Sequence, residues 1–338
     1  MLSNPTAIKR DNNFDIVRLL LAETVVLFHA HHLSAQPALK ILPKMFSGGL
    51  AVEGFFAISG FLIFSSYERA TSLGDYSMKR AARILPGYWL STVFCLIIAF
   101  SYGCFHVGKF LIGNLSFANF YAPGIPGVFQ NHAIPAMNGS LWTIKVEVMF
   151  YIAVPLIVWL CRKLNRDAVL VALFCASVAY RLLVKEAHAA VQLPGVLSFF
   201  LAGALVHYHH AAFMRYGKYL MLVAAVLLGL HEWTHWFFLR PVSIPFLVLG
   251  AALLLPVVKG PTRWGDFSYG TYVLHWPVLQ LVIATGLFAI HPWLAVLVSL
   301  VLVAIGAVIS WFAVENPALA YAHRRKKRRD AKRSMAHA

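Results

Sequence analysis

Arg18 and His29 stand eleven residues apart in the run RLLLAETVVLFH. On an α-helix eleven residues come within about 20° of three full turns, so both side chains share one face, about 16 Å apart along the axis. A guanidinium is a permanent cation that grips phosphate or carboxylate with two parallel hydrogen bonds. An imidazole takes and returns a proton near neutral pH, as a general base must. The surrounding run is apolar, and a central Arg in a membrane helix costs roughly 2.5–3.5 kcal/mol on insertion scales. Taken alone, an Arg snorkelling to the interface and a His hydrogen-bonded in a bundle explain the pair as well as function does.

More ionisable residues reach the same depths. Glu53, within GGLAVEGFFAISGFLIF, and Glu147, within GSLWTIKVEVMFY, fall in the outer thirds of the second and fourth apolar runs. With His29 they are expected to meet at one level, where a carboxylate orients the imidazole and stabilises its protonated form. At the other end, MKRAARILPGYW opens the third run with Arg80 and Arg83. Residues at i and i+3 point the same way, so two guanidiniums can clamp one polyphosphate. Alone, that pair is an interfacial anchor. With Arg18 at the same membrane face, it suits an anionic cosubstrate entering there.

The elements that must position these groups are membrane helices. The 338 residues are 60% hydrophobic and 12% charged, with a mean hydropathy of +0.70. Soluble domains carry about twice that share of charge. Apolar windows lie near 14–33, 46–66, 84–102, 140–161, 167–184, 192–208, 217–232, 241–258, 266–287 and 292–314. The expected fold is all-α, a polytopic membrane protein with about ten transmembrane helices and both termini cytoplasmic. No cleavable signal peptide is expected before the first window, and the connection 103–139 is too short for a sizeable core of its own. Net charge is +16, and RRKKRRDAKR (324–333) alone holds eight of the 29 Lys and Arg. With the N-terminus inside, 21 basic residues, Lys9, Arg10 and Lys259 among them, collect on the inner side. Only Lys40, Lys44, Lys109, Arg181, Lys185 and Arg240 lie outside. That asymmetry sets orientation and contact with anionic lipid, and argues against nucleic acid as the partner.

HEWTH, His231 to His235, has the spacing of a zinc-protease helix, in which two His at i and i+4 face one metal. The carboxylates that follow, Asp266, Glu315 and Asp330, fall on the opposite face, so no third ligand and no metal site is expected. Interfacial His and Trp account for the motif. The cysteines Cys95, Cys104, Cys161 and Cys175 lack metal spacing and read as free, buried thiols.

Six motifs in order, from Phe14 to Pro317, resemble the membrane-bound acyltransferase-3 family of bacterial enzymes that O-acylate cell-surface sugars. They are the Arg18–His29 spacing, AVEGFFAISGFLI (51–63) with Glu53 at its acidic position, the Arg80–Arg83 pair, SLWTIKVEVMFY (140–151) with Thr143 where Ser is common, FSYGTYVLHWPV (267–278) and VENP (314–317). The resemblance implies a membrane domain over 1–317, a basic cytoplasmic tail over 318–338 and a bacterial inner-membrane location. It implies a cytoplasmic acyl-CoA donor, most often acetyl-CoA, used as cosubstrate with no permanently bound cofactor. The implied acceptor is a carbohydrate hydroxyl across the bilayer, on lipopolysaccharide O-antigen, exopolysaccharide or similar.

Carried over by position, Arg18, Arg80 and Arg83 would hold the CoA phosphates. His29, supported by Glu147 and Glu53, would act as base or transient acyl acceptor. Ser59, Trp142, Ser268, Tyr272 and His275 would support the site. Some members carry a fused extracytoplasmic esterase-like domain; no such segment follows Pro317 here, so the membrane domain completes transfer itself or hands over to a separate partner. The rival reading is a proton-coupled transporter of a polar or anionic solute, using the same intramembrane charges as a relay. A membrane zinc protease comes third.

Overall fold

The structure, a computed structural model, describes residues 12–258 and 260–335, with side chains for all of these except 261 and 327–335. Lys9, Arg10 and Lys259, counted above on the inner side, lie outside the described residues, as do the tail side chains beyond Lys326. Helices make up 81% of the described residues, among which no strand occurs. Each of the ten apolar windows coincides with one helix. These are α1 (Phe14–Ser34), α2 (Gly48–Glu68), α3 (Leu73–Ser101), α4 (Trp142–Lys163), α5 (Arg166–Leu183), α6 (Leu193–Tyr208), α7 (His210–Thr234), α8 (Arg240–Leu253), α9 (Ser268–Ala284) and α10 (Pro292–Ser310). The tail begins as an eleventh, α11 (Asn316–Met335), joined to α10 by a π-helical turn at Trp311–Glu315.

Seven of the ten are long and apolar enough to cross a membrane, α6 only when taken with the short helix Ala187–Ala190 that leads into it. The other three explain the difference from the sequence count. Helix α5 carries Arg166, Asp167 and Arg181, α8 has 14 residues and α9 has 17. At 1.5 Å per residue, α8 and α9 fall short of a hydrocarbon core about 30 Å thick. Helix α9 is not matched to lipid in any case, because every residue from Ser268 to Gln280 is buried in protein. The perimeter is apolar instead: Tyr219, Leu222 and Val226 of α7 and Leu297, Val301 and Ile305 of α10 are exposed.

Lipid tails are as apolar as Leu, so helices in a membrane associate through close backbone approach and interhelical hydrogen bonds. The tightest seam joins α2 to α6. A Cβ added at Gly60 would lie 1.8 Å from the Phe200 carbonyl oxygen, and one at Gly203 would lie 2.1 Å from that of Ala57. Gly203→Val is therefore expected to separate α2 from α6 at a cost of about 1–3 kcal/mol. Thermal unfolding of the purified protein in detergent checks this; an unchanged midpoint would remove the seam from the account.

Asn13, buried just ahead of α1, supplies the polar counterpart. Its side chain donates to the carbonyls of Leu255 (3.2 Å) and Pro256 (3.0 Å) and accepts from Val258 N–H (2.8 Å), pinning the start of α1 to the end of α8.

Helix α3 starts at Leu73, capped by Ser72, so Arg80 and Arg83 lie in its second and third turns rather than at its opening. The connection 103–139 forms one short helix, Gly108–Leu115, and a small apolar cluster of Phe110, Ile125, Val128, Phe129 and Met137 against α3. It is fastened over α9: Trp276 Nε1 donates to Ala136 O (3.0 Å), Gln280 Nε2 to Ile134 O (2.7 Å), and Asn138 Nδ2 to Val273 O (2.8 Å). The first turns of α11 pack back on α3, where Lys326 meets Asp75 at 3.4 Å.

Candidate active site

Helices α1 and α9 run side by side in the same direction, which tests the shared face of Arg18 and His29. Arg18 Nη1 lies 3.2 Å from Asp266, in the loop ahead of α9, and His29 Nδ1 lies 3.0 Å from His275 Nε2 further along it. Both side chains address one line on α9, as an eleven-residue spacing requires.

At the Arg18 end, Asp266 accepts from Arg18 and Arg83 together and from the Ser268 hydroxyl (2.5 Å). Burial opposes its charge, but the two guanidiniums and Ser268 outweigh it and hold the carboxyl below the usual carboxylate range. Arg18 also pairs with Asp15, and Arg83 approaches Glu315 at 3.9 Å. Glu315 is buried and accepts from Ser310 (2.6 Å). The VENP segment thus serves as an internal counter-charge. Arg80 points elsewhere, to the Ser66 hydroxyl (3.1 Å) and the face of Tyr151.

A cavity of about 770 Å³, open mouth included, rises from these arginines into the bundle. Arg18, Arg80, Arg83 and Ser268 line it at one end, Ser59 of α2 and Glu147 of α4 on its walls, and Thr143 and Tyr272 at the far end. Thr143 Oγ1 and the Tyr272 hydroxyl are hydrogen-bonded at 2.8 Å. The histidine pair stands one turn of α9 beyond, the Tyr272 and His275 rings being 5.7 Å apart.

The hydrogen bonds fix the protons on that pair. His275 Nδ1 is 2.6 Å from the Tyr272 carbonyl, which can only accept, so Nδ1 carries the hydrogen and Nε2 of the neutral ring is an acceptor. His29 must then donate from Nδ1, which leaves the lone pair on its Nε2. His29 is partly exposed, whereas His275 is fully buried.

The expected meeting of His29 with two carboxylates is not what the fold builds. Glu53 pairs with Arg240 at 2.7 Å, tying α2 to the start of α8. Glu147 accepts from the Tyr151 hydroxyl (2.7 Å) and faces the cavity on the arginine side of Thr143. Neither contacts His29, whose ring neighbours are His275, Trp276, His32 and Phe28. Glu147 lies nearer the arginine end than His29 does, and for Glu53 rotation about the helix axis decides the partner. Glu53 sits about 100° from Val52, which faces the cavity with Phe56 and Ser59, and so turns toward α8. Trp142 opens α4 and packs on the core without lining the cavity.

HEWTH does not form one helical turn. Helix α7 ends at Thr234, His235 takes a left-handed φ of 58°, and His231 Nδ1 bonds to Trp236 O (3.0 Å). Of the cysteines all four are free, but only Cys95 is buried; Cys175 is exposed and the other two are intermediate.

The sequence reading gave no role to Asp266 or Asn13. Each is a polar residue beside an apolar run, a signal that does not announce a partner more than 200 residues away. His275 was legible only as a motif position.

Comparison with known proteins agrees with the motifs. The family model described as an acyltransferase domain, that of the acyltransferase-3 family, matches residues 11–314. The chain is 27% identical to Nodulation protein 10 of Rhizobium leguminosarum bv. viciae, over 94% of this chain and 95% of that protein. It is also 27% identical to an O-acetyl transferase of Shigella phage Sf6, over 91% of this chain and 96% of that protein. No solved structure matches. An enzyme family over nearly the whole chain displaces the transporter and protease readings. The chain belongs to the acyltransferase-3 family and is a multi-pass membrane acyltransferase.

Proposed function

We propose that the protein moves an acyl group, acetyl by preference, from acyl-CoA at the arginine end to a carbohydrate hydroxyl at the histidine end. The carrying observation is the two-ended site: a cavity rooted among arginines that stops one helical turn short of a histidine whose lone pair lies on Nε2. The basic asymmetry of the loops supports a cytoplasmic donor side in a bacterial inner membrane, with both termini cytoplasmic.

In this reading the acceptor hydroxyl gives its proton to His29 Nε2 as its oxygen attacks the thioester carbonyl. The C–S bond breaks, and the departing thiolate takes the proton back, giving CoA and the O-acyl ester. A two-step route uses the same nitrogen: Nε2 attacks the thioester carbonyl and CoA leaves as the thiolate, then the hydroxyl oxygen attacks the acyl-imidazole, the C–N bond breaks and the hydroxyl proton passes to the thiolate. His275 is a positioning residue that fixes the tautomer of His29. The arm of the donor must pass Tyr272 and Thr143 to arrive.

Transfer of radiolabelled acetyl from acetyl-CoA to envelope glycan, in membranes bearing the wild-type chain, tests the reading. Label above a blank membrane supports it, and its absence rejects acetyl-CoA as donor. His275→Leu is expected to lower transfer about 10- to 100-fold, by analogy with lost outer-shell partners of ligating histidines. His275→Gln, whose Oε1 can accept from His29 Nδ1–H, should recover most of that. Equal loss in both variants would show that burial, not the hydrogen bond, is what His275 supplies.

A further inference from the structure

Four arginines, not three, stand at the mouth of the cavity, and the structure divides them into two unlike pairs. Arg18 and Arg83 are already neutralised by Asp15, Asp266 and Glu315. Arg69 and Arg80 meet no carboxylate oxygen within ion-pair distance among the described residues. They are held by consecutive buried hydroxyls at the end of α2, Arg69 Nη1 by Ser65 (2.5 Å) and Arg80 Nη2 by Ser66 (3.1 Å). Arg80 Nε is buried without a partner, as is Arg18 Nε. Because Ser65 and Ser66 are neighbours in α2, the two guanidiniums are anchored at the same end of that helix, where Glu68 also lies. Arg80 lines the cavity and Arg69 is exposed beside it, so the pair leads from solvent inward.

Two like charges fixed side by side, with donors unspent, are unfavourable while empty and match a dianion with several acceptor oxygens. We infer that Arg69 and Arg80 form the phosphate-binding subsite for the donor, and that Arg83 is a clamp joining α3 to the loop before α9 and to the π turn. Arg69 belongs to none of the motifs that carry the family resemblance. The inference rests on the acyl-CoA reading above and specifies which groups recognise the donor's phosphates.

The experiment is direct binding of CoA to the purified full-length protein in detergent, compared with turnover of acetyl-pantetheine, which lacks the nucleotide and its phosphates. Arg69→Ala is expected to weaken CoA binding about tenfold or more, and Arg69→Lys less. Raised salt should weaken wild-type binding more steeply than that of Arg69→Ala. Turnover of acetyl-pantetheine should be the same in wild type and Arg69→Ala, which also shows that the variant is folded. CoA binding unchanged in Arg69→Ala would overturn the inference and leave the donor reading standing. A wild-type protein that does not bind CoA would overturn the donor reading and the inference together. Loss of both CoA binding and acetyl-pantetheine turnover would mark Arg69 as structural and also overturn the inference.

Discussion

His29→Gln is expected to lower transfer to the acceptor by about 10²–10⁴-fold, while the protein still folds and still binds CoA. The size of the effect follows from what is removed. The lone pair on His29 Nε2 is the basic site of the pair, since His275 Nε2 is taken by His29 and His275 Nδ1 donates to Tyr272 O. General-base catalysis by a positioned imidazole contributes about 10²–10⁴-fold, and loss of an acyl-carrying nitrogen would cost no less. A glutamine keeps a polar side chain of similar length but has no basic nitrogen. The measurement is labelled acetyl transfer to glycan, with CoA binding as the folding control. Residual transfer within tenfold of wild type would rule out His29 as either base or carrier. Binding should survive because Arg18, which marks the arginine end, stands about 16 Å from His29 along α1, by helix rise.

The second large effect is on stability. Asp266→Ala removes the shared counter-charge of Arg18 and Arg83 and leaves both guanidiniums in the protein interior without it. Breaking a buried ion pair from one side costs about 3–5 kcal/mol, because the remaining charge keeps its desolvation penalty without compensation. Here the carboxylate also accepts from Ser268 at the head of α9, so its loss loosens α1, α3 and α9 together. Asp266→Asn should cost less, since the amide oxygen still accepts one hydrogen bond. Thermal unfolding in detergent checks the order, with Asp266→Ala lowest and Asp266→Asn between it and wild type. Equal midpoints for all three would mean that Arg18 and Arg83 reach water or lipid headgroups at no cost, and that the cluster does not organise the arginine end.

These two residues differ sharply in how far the sequence announced them. His29 was legible because an eleven-residue interval with Arg18 is a property of one helix, and the period of a helix is fixed by local backbone geometry. The apolar windows, the position of each helix to within a few residues and the family motifs were legible for the same reason. Each depends on residues close together in the chain or on matched short segments. Helix α3 was underestimated only because its polar first turns carry no hydropathy signal.

Asp266 was not legible, and Glu53 and Glu147 were placed beside the wrong partner. Their surroundings depend on how each helix is rotated and where it is laid against the others. That is settled by contacts such as Gly60 on Phe200 and Gly203 on Ala57, between residues roughly 140 positions apart. The sequence determined which faces exist on each helix. Only the packed bundle decided which faces meet, because a side chain's partner across an interface depends on the shape and tilt of both helices, and neither is encoded in the period of one.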